Sequence, residues 1–93
     1  MSEKTAPALA KLDTLLPMLK EITDGGKLFE EASALRRAVA AFHMEAIRFR
    51  MFSVERMLKH NGDAATLRVF EELRHELETA GFHTRSHAAP GSA

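Results

Sequence analysis

Residues 28–60 read LFEEASALRRAVAAFHMEAIRFRMFSVERMLKH, and this stretch decides the fold because neither proline nor glycine interrupts it. Most of its residues are good helix formers, among them alanine, leucine, glutamate, arginine and methionine. Apolar side chains recur along it at the spacing of about 100° per residue that an α-helix requires. The stretch therefore predicts one long helix over 28–60, about 50 Å in length at about 1.5 Å per residue.

A shorter helix is predicted before it, at about 5–24, from apolar residues that recur every three or four positions: Leu12, Leu15, Leu19 and Ile22. Pro17 lacks an N–H and clashes with the carbonyl group four residues earlier, so we expect a kink near Asp13. The alternative is that Thr14 caps a new helix, which would place Pro17 in the first turn.

A third helix is predicted at 63–80, because Asp63 is a typical N-cap residue and Gly81 directly follows the apolar pattern. The acidic surplus of this helix complements the basic surplus of residues 36–59. Opposite charges on the two helices favour an antiparallel hairpin between them.

The chain has 93 residues, which is enough for one domain. We predict an all-α fold in which the three helices form an antiparallel bundle over 1–81. A disordered tail is predicted over 82–93, because that segment holds too few apolar residues to order itself.

Composition removes several classes of function. Thirteen Lys and Arg balance thirteen Asp and Glu, and the absence of cysteine excludes disulfides, cysteine metal sites and thiol catalysis. No apolar run is long enough for a membrane span or a signal peptide, so we expect a cytoplasmic, bacterial protein with no membrane partner. The neutral charge argues against nucleic acid as a partner, as does the expected burial of the phenylalanines.

The predicted helix 28–60 carries two apolar seams. One seam runs its whole length, and the second lies nearly opposite, where it comprises Met44, Ile47, Met51, Val54 and Leu58. Two helices of half the length cannot cover both seams. We therefore predict that the second seam is the interface of a homodimer, or else a groove for a helix of another protein.

Two short motifs on the predicted helix 63–80 could carry chemistry. Glu72 and His75 have the Glu-x-x-His spacing of ferritin-like di-iron proteins, but both fall on the polar face, so we predict no metal and no cofactor. The segment from His75 to Ala80 resembles the phospho-accepting H-box of sensor kinases. That resemblance implies a His phosphotransfer module, although Glu78 stands where the motif has a basic residue.

A third group lies between the two seams at heptad spacing: Arg36, His43 and Arg50. Half-buried basic side chains need partners, and the acidic helix 63–80 is the expected partner of Arg50. The alternative is a pocket between helices for an anion or a small ligand.

None of these patterns makes a catalytic constellation. The predicted function is that of a small non-enzymatic helical protein, which acts through homodimerisation or through helix-mediated binding of another protein. The alternatives are a metal-dependent or small-ligand-binding helical bundle and a His phosphotransfer module.

Overall fold

The computed structural model describes residues 3–22 and 26–84. Within these ranges the secondary structure is entirely helical, with α1 at Ala6–Lys20, α2 at Gly26–Ala40, α3 at Met44–Asn61 and α4 at Ala64–Thr79. The predicted all-α class is confirmed. The described helices number four rather than three, because the predicted long helix 28–60 is divided into α2 and α3.

The division lies at Phe42, whose φ of 60° places its backbone in the left-handed region. The amide of Phe42 donates to the carbonyl oxygen of Val39 at 3.0 Å, and the amide of His43 donates to that of Ala38 at 3.0 Å. These two hydrogen bonds make a Schellman motif, which ends a helix. Glycine usually occupies the left-handed position of this motif. A phenylalanine there gives no stop signal, so the sequence predicts an uninterrupted helix.

α3 begins directly after this turn, with His43 as its N-cap. The Nδ1 atom of His43 accepts a hydrogen bond from the amide of Ala46 at 3.2 Å. Only three residues, 41–43, therefore separate α2 from the new helix, which packs back against α2.

α1 runs through Pro17 without a break. The helix begins at Ala6 and not at the alternative start, Thr14, whose hydroxyl donates to the carbonyl oxygen of Ala10 at 3.3 Å. Pro17 is exposed, and its missing N–H removes the helical donor for the carbonyl group of Asp13. The predicted apolar stripe of this helix is buried at Leu12, Leu15 and Leu19.

α4 begins as predicted, with Asp63 as its N-cap. The carboxylate of Asp63 accepts from the amide of Thr66 at 2.8 Å, and the Thr66 hydroxyl accepts from the amide of Asp63 at 3.0 Å. This reciprocal capping box satisfies two amides that a helix start would otherwise leave unpaired. At the other end, Gly81 takes the left-handed conformation with φ 101°.

The four helices form a flat slab with extents of 34 × 33 × 19 Å. α1 packs against both α2 and α4, while α3 packs mainly against α2, so the predicted hairpin with the last helix is only a minor contact. A straight helix of about 50 Å would not fit within these extents. Within residues 3–22 and 26–84, no helix combines the length and the hydropathy that a bilayer crossing requires.

The packed part of the chain extends past residue 81, the predicted end of the domain. Phe82 and Thr84 are only 2% and 3% exposed. The Nη1 atom of Arg74 donates to the carbonyl oxygen and the hydroxyl of Thr84, at 3.0 and 3.1 Å. Residues 82–84 of the predicted tail are therefore part of the folded structure, and the remainder, 85–93, lies outside the described residues.

Candidate association surface

The five residues predicted as an interface do not share a surface in the folded chain. Ile47, Met51, Val54 and Leu58 are fully buried in the chain's own core, and only Met44 is exposed, at 44%. The prediction assumed one helix that was too long for its neighbours to cover. Because the chain turns at Phe42 and α2 packs along α3, a single chain covers these four side chains. A surface for a partner must therefore use other residues.

The opposite side of α3 carries apolar surface that remains exposed. Phe49 and Phe52 are 55% and 37% exposed, and residues three apart are neighbours on a helix. Ser53, Arg56 and His60 continue the same stripe toward the end of α3. We call the surface made by Phe49, Phe52, Ser53, Arg56 and His60 the outer face of α3.

The outer face borders a shallow groove of about 390 Å³, which is lined by its five residues together with Met57 and Asn61. A second depression, of about 510 Å³, lies between α2 and α3 and shares Ser53 and Met57 with the first. The two depressions therefore adjoin at Ser53 and Met57. The surface available to a partner therefore extends from the phenylalanines of α3 to the exposed side of α2.

Arginine side chains lie over both phenylalanine rings. The guanidinium carbon of Arg50 is 5.2 Å from the ring centre of Phe49, and that of Arg56 is 5.9 Å from the ring centre of Phe52. These are cation–π distances. Arg50 is also tied to α2, because its Nη1 atom lies 2.8 Å from Oε2 of Glu31. The predicted pairing of Arg50 with the last helix is therefore replaced by a partner on α2.

Arg36, His43 and Arg50, the predicted pocket residues, each bind a different neighbour. The Nε atom of Arg36 lies 2.7 Å from Oδ1 of Asp13 on α1, His43 caps its own helix, and Arg50 pairs with α2. The hydrogen bond from Arg36 holds the pKa of the Asp13 carboxyl below its usual 3.8 and raises the pKa of Arg36. Each of the three side chains therefore has a structural contact: Arg36 and Arg50 form ion pairs between helices, and His43 caps a helix.

Glu72 and His75 both lie on the exposed side of α4. The Oε1 atom of Glu72 is 3.1 Å from Nζ of Lys11, so this carboxylate forms an ion pair between α4 and α1. Within residues 3–22 and 26–84, no three His, Asp or Glu side chains are grouped so that they could hold a metal ion.

The sequence pattern missed the outer face because it treated 28–60 as one helix. As one helix covered from two sides, this stretch predicts that its phenylalanines are buried, Phe49 and Phe52 included. The one local signal was His43, which can act as an N-cap acceptor. A histidine is a weaker start signal than Ser, Thr, Asp or Asn, so nothing in the pattern marked a new helix there.

No protein-family model, curated protein or solved structure matches this chain. Over the described residues, the fold and the surface define a class: an all-α protein of four helices with an exposed aromatic and basic stripe on α3.

Proposed function

We propose that this protein acts through protein–protein association, in which the outer face of α3 binds a second copy of the chain. The observation that carries the proposal is the exposure of Phe49 and Phe52, side by side, on a helix whose opposite face is buried. Contiguous exposed apolar surface marks an interaction site on a folded protein. Complete burial of a fully exposed phenylalanine contributes roughly 1.5–3 kcal/mol; Phe49 and Phe52 are 55% and 37% exposed, so each would contribute about half of that on association, once in each copy of a two-fold dimer.

Charge favours a protein partner over nucleic acid. Phe49 and Phe52 are exposed and could serve as stacking platforms, so only charge disfavours nucleic acid. The chain has a formal net charge of zero. Of the cations over the two rings, Arg50 is already paired with Glu31, whereas Arg56 over Phe52 has no ion pair within the described residues, so it is the charge balance of the whole chain that disfavours nucleic acid. A surface that binds phosphates needs a surplus of unpaired positive charge.

The size of the surface limits the affinity. The outer face runs from Phe49 to His60, eleven steps at about 1.5 Å per residue, so it is about 17 Å long and about one helix wide. Such a contact buries less than the roughly 800 Å² per partner of a standard interface. We therefore expect a dimer with a dissociation constant in the micromolar range.

Analytical ultracentrifugation between about 1 and 300 µM tests the proposal, because this range spans the expected dissociation constant. The wild type should change from monomer to dimer, and Phe49→Glu should remain monomeric with unchanged helicity by circular dichroism. Met44→Glu is the matched control, since it adds the same charge at an exposed apolar residue of α3, about 140° around the helix from Phe49. It should dimerise like the wild type.

A wild-type monomer throughout this range would overturn the proposal, as would a Phe49→Glu dimer of unchanged strength. Binding of a fluorescein-labelled single-stranded oligonucleotide tests nucleic acid as the alternative partner. If the oligonucleotide binds a monomeric wild type and the Phe49→Glu variant does not bind it, the outer face is instead a nucleic-acid-binding surface.

A further inference from the structure

We infer that the two copies dock with their α3 helices antiparallel, about a two-fold axis beside Phe52 and Ser53, and that Glu45 determines this orientation. The inference rests on the proposed self-association and adds to it the geometry and the residue that selects it. It is carried by the distribution of charge along α3 and by the position of the smallest side chain on the outer face.

Charge along the exposed side of α3 is polarised from one end to the other. Glu45 lies in the first turn, on the same side as Phe52, and Arg56, Lys59 and His60 lie in the last two turns. Within the described residues Glu45 takes part in no ion pair, and Lys59 is 68% exposed with a single acidic neighbour, Glu55, at 3.6 Å. The single chain thus leaves an acidic group at one end of the face and basic groups at the other.

Antiparallel docking pairs these opposite ends. Glu45 precedes Phe52 by seven residues, and Lys59 and His60 follow it by seven and eight, so both ends are about 11 Å from Phe52 along the helix. A two-fold axis beside Phe52 therefore places Glu45 opposite the second copy's Lys59 and His60, twice per dimer. Parallel docking would instead place each charged residue against the same residue of the second copy, and the repulsion between like charges disfavours that arrangement.

The apolar part of the face fits the same register. Phe49 and Arg56 lie equally far on either side of the midpoint between Phe52 and Ser53. In the antiparallel dimer the Phe49 ring of one copy therefore meets the Arg56 guanidinium of the other. Ser53 lies at the centre, where its small side chain lets the two helix axes approach to the 8–10 Å of ordinary helix packing. The aromatic side chains then flank the axis and do not collide on it.

Single-cysteine variants test the orientation directly, because the chain has no cysteine of its own. A disulfide requires Cα atoms less than about 7 Å apart. Under mild oxidation at a concentration that gives dimer, Ser53→Cys should cross-link efficiently. Glu45→Cys should cross-link no more than Glu72→Cys, an exposed α4 position that measures random collision. Efficient cross-linking of Glu45→Cys would show a parallel dimer and overturn the inference.

Charge reversal tests the role of Glu45 without a cross-link. Glu45→Lys should raise the dissociation constant about ten-fold, because two surface attractions become two repulsions. The double variant Glu45→Lys/Lys59→Glu should return to within about three-fold of the wild type. In a parallel dimer Glu45→Lys would have little effect, because two lysines would replace two glutamates that already repel one another.

The two proposals fail in different ways. If the wild type is monomeric, the self-association itself is wrong. If the wild type dimerises through Phe49 but Ser53→Cys cross-links only at the rate of Glu72→Cys, the association stands and the antiparallel geometry is wrong. If Glu45→Lys leaves the dissociation constant unchanged, Glu45 does not determine the orientation.

Discussion

The rings of Phe42 and Phe82 meet edge to face, with their centres 5.1 Å apart and their planes at 71°. Both residues belong to Schellman motifs. Phe42 holds the left-handed position after α2, and Phe82 follows Gly81, the left-handed residue after α4; the amide of Phe82 donates to the carbonyl oxygen of Leu77 at 2.9 Å. The contact therefore joins the ends of two helices. It also offsets part of the backbone strain at Phe42, where the sequence supplies no glycine.

Substitution at Phe42 should distinguish a turn from a continuous helix. Both Phe42→Gly and Phe42→Ala lose the ring contact, but only glycine adopts φ 60° without crowding. Phe42→Gly should therefore be the more stable by about 1 kcal/mol in urea unfolding. At Arg37, an exposed residue inside α2, the order should reverse, because alanine is favoured over glycine by about 1 kcal/mol within a helix. A Phe42→Ala variant more stable than Phe42→Gly would contradict the turn.

Arg74 should be the polar residue whose loss weakens the fold most. Its side chain is 1% exposed, its Nη2 atom lies 2.8 Å from Oε1 of Glu55, and its Nε atom lies 3.1 Å from Oε1 of Glu71. The contact of Nη2 with Glu55 is electrostatic, since this nitrogen makes no hydrogen bond within the described residues. Together with Thr84, these partners join α3, α4 and the segment that follows α4 around one cation.

Arg74→Met should lower the free energy of unfolding by about 2 kcal/mol, because it removes the buried cation from Glu55, which keeps only the more distant Lys59 at 3.6 Å, and leaves Thr84 without its donor. Chemical denaturation measures this value. Arg68→Met, on the exposed side of the same helix, is the control and should stay within about 0.5 kcal/mol of the wild type. Equal stabilities for the two variants would show that the buried cation contributes nothing to the fold.

The N-cap of α4 should make the stability depend on pH below about pH 4. Hydrogen bonds from Thr66 hold the pKa of the Asp63 carboxyl below its usual 3.8. The folded pKa is lower than the unfolded one, so the stabilisation is fully present above the unfolded pKa. It is lost as the pH falls through the folded pKa.

Asp63→Ala should therefore lower the Tm at pH 7, and its Tm difference from the wild type should shrink as the pH is lowered to about 2. Asp63→Asn keeps a side-chain acceptor that does not titrate in this range, so the difference between Asn and Ala should change little with pH. A wild-type advantage over Ala that is constant down to pH 2 would mean that the charge of Asp63 is not involved.

Two glycines should respond to alanine in opposite directions. A Cβ atom at Gly62 would lie 2.8 Å from the carbonyl oxygen of Leu58 and 2.9 Å from Oγ1 of Thr66, so Gly62→Ala should cost about 1–2 kcal/mol through displacement of the α3–α4 turn. Gly26 begins α2, and apart from its chain neighbours and its own helix backbone no atom of the described residues lies within 4 Å of such a Cβ, so Gly26→Ala should stabilise the fold by about 0.4–1 kcal/mol. Thermal unfolding of both variants checks the signs.

The sequence by itself determined the helical class, the buried stripe of α1 and the start of α4. These features depend on local signals that neighbouring residues supply. Apolar residues at helical spacing mark a buried face, and Asp63 with Thr66 satisfies the first amides of α4 within one turn. Local hydrogen bonds of this kind form in the same way wherever the rest of the chain lies.

Only the tertiary structure decided where 28–60 breaks, and with it which face of α3 remains exposed. Phe42 has no local preference for the left-handed conformation, and its ring packs against Phe82, a residue forty positions away. Once the chain turns there, α2 covers Ile47 and Met51, while Phe49 and Phe52 lie on the exposed side. The burial of Arg74 is equally non-local, because its partners Glu55 and Thr84 come from other parts of the chain. A helical pattern shows which side chains share a face, but the packing of distant segments decides which face is covered.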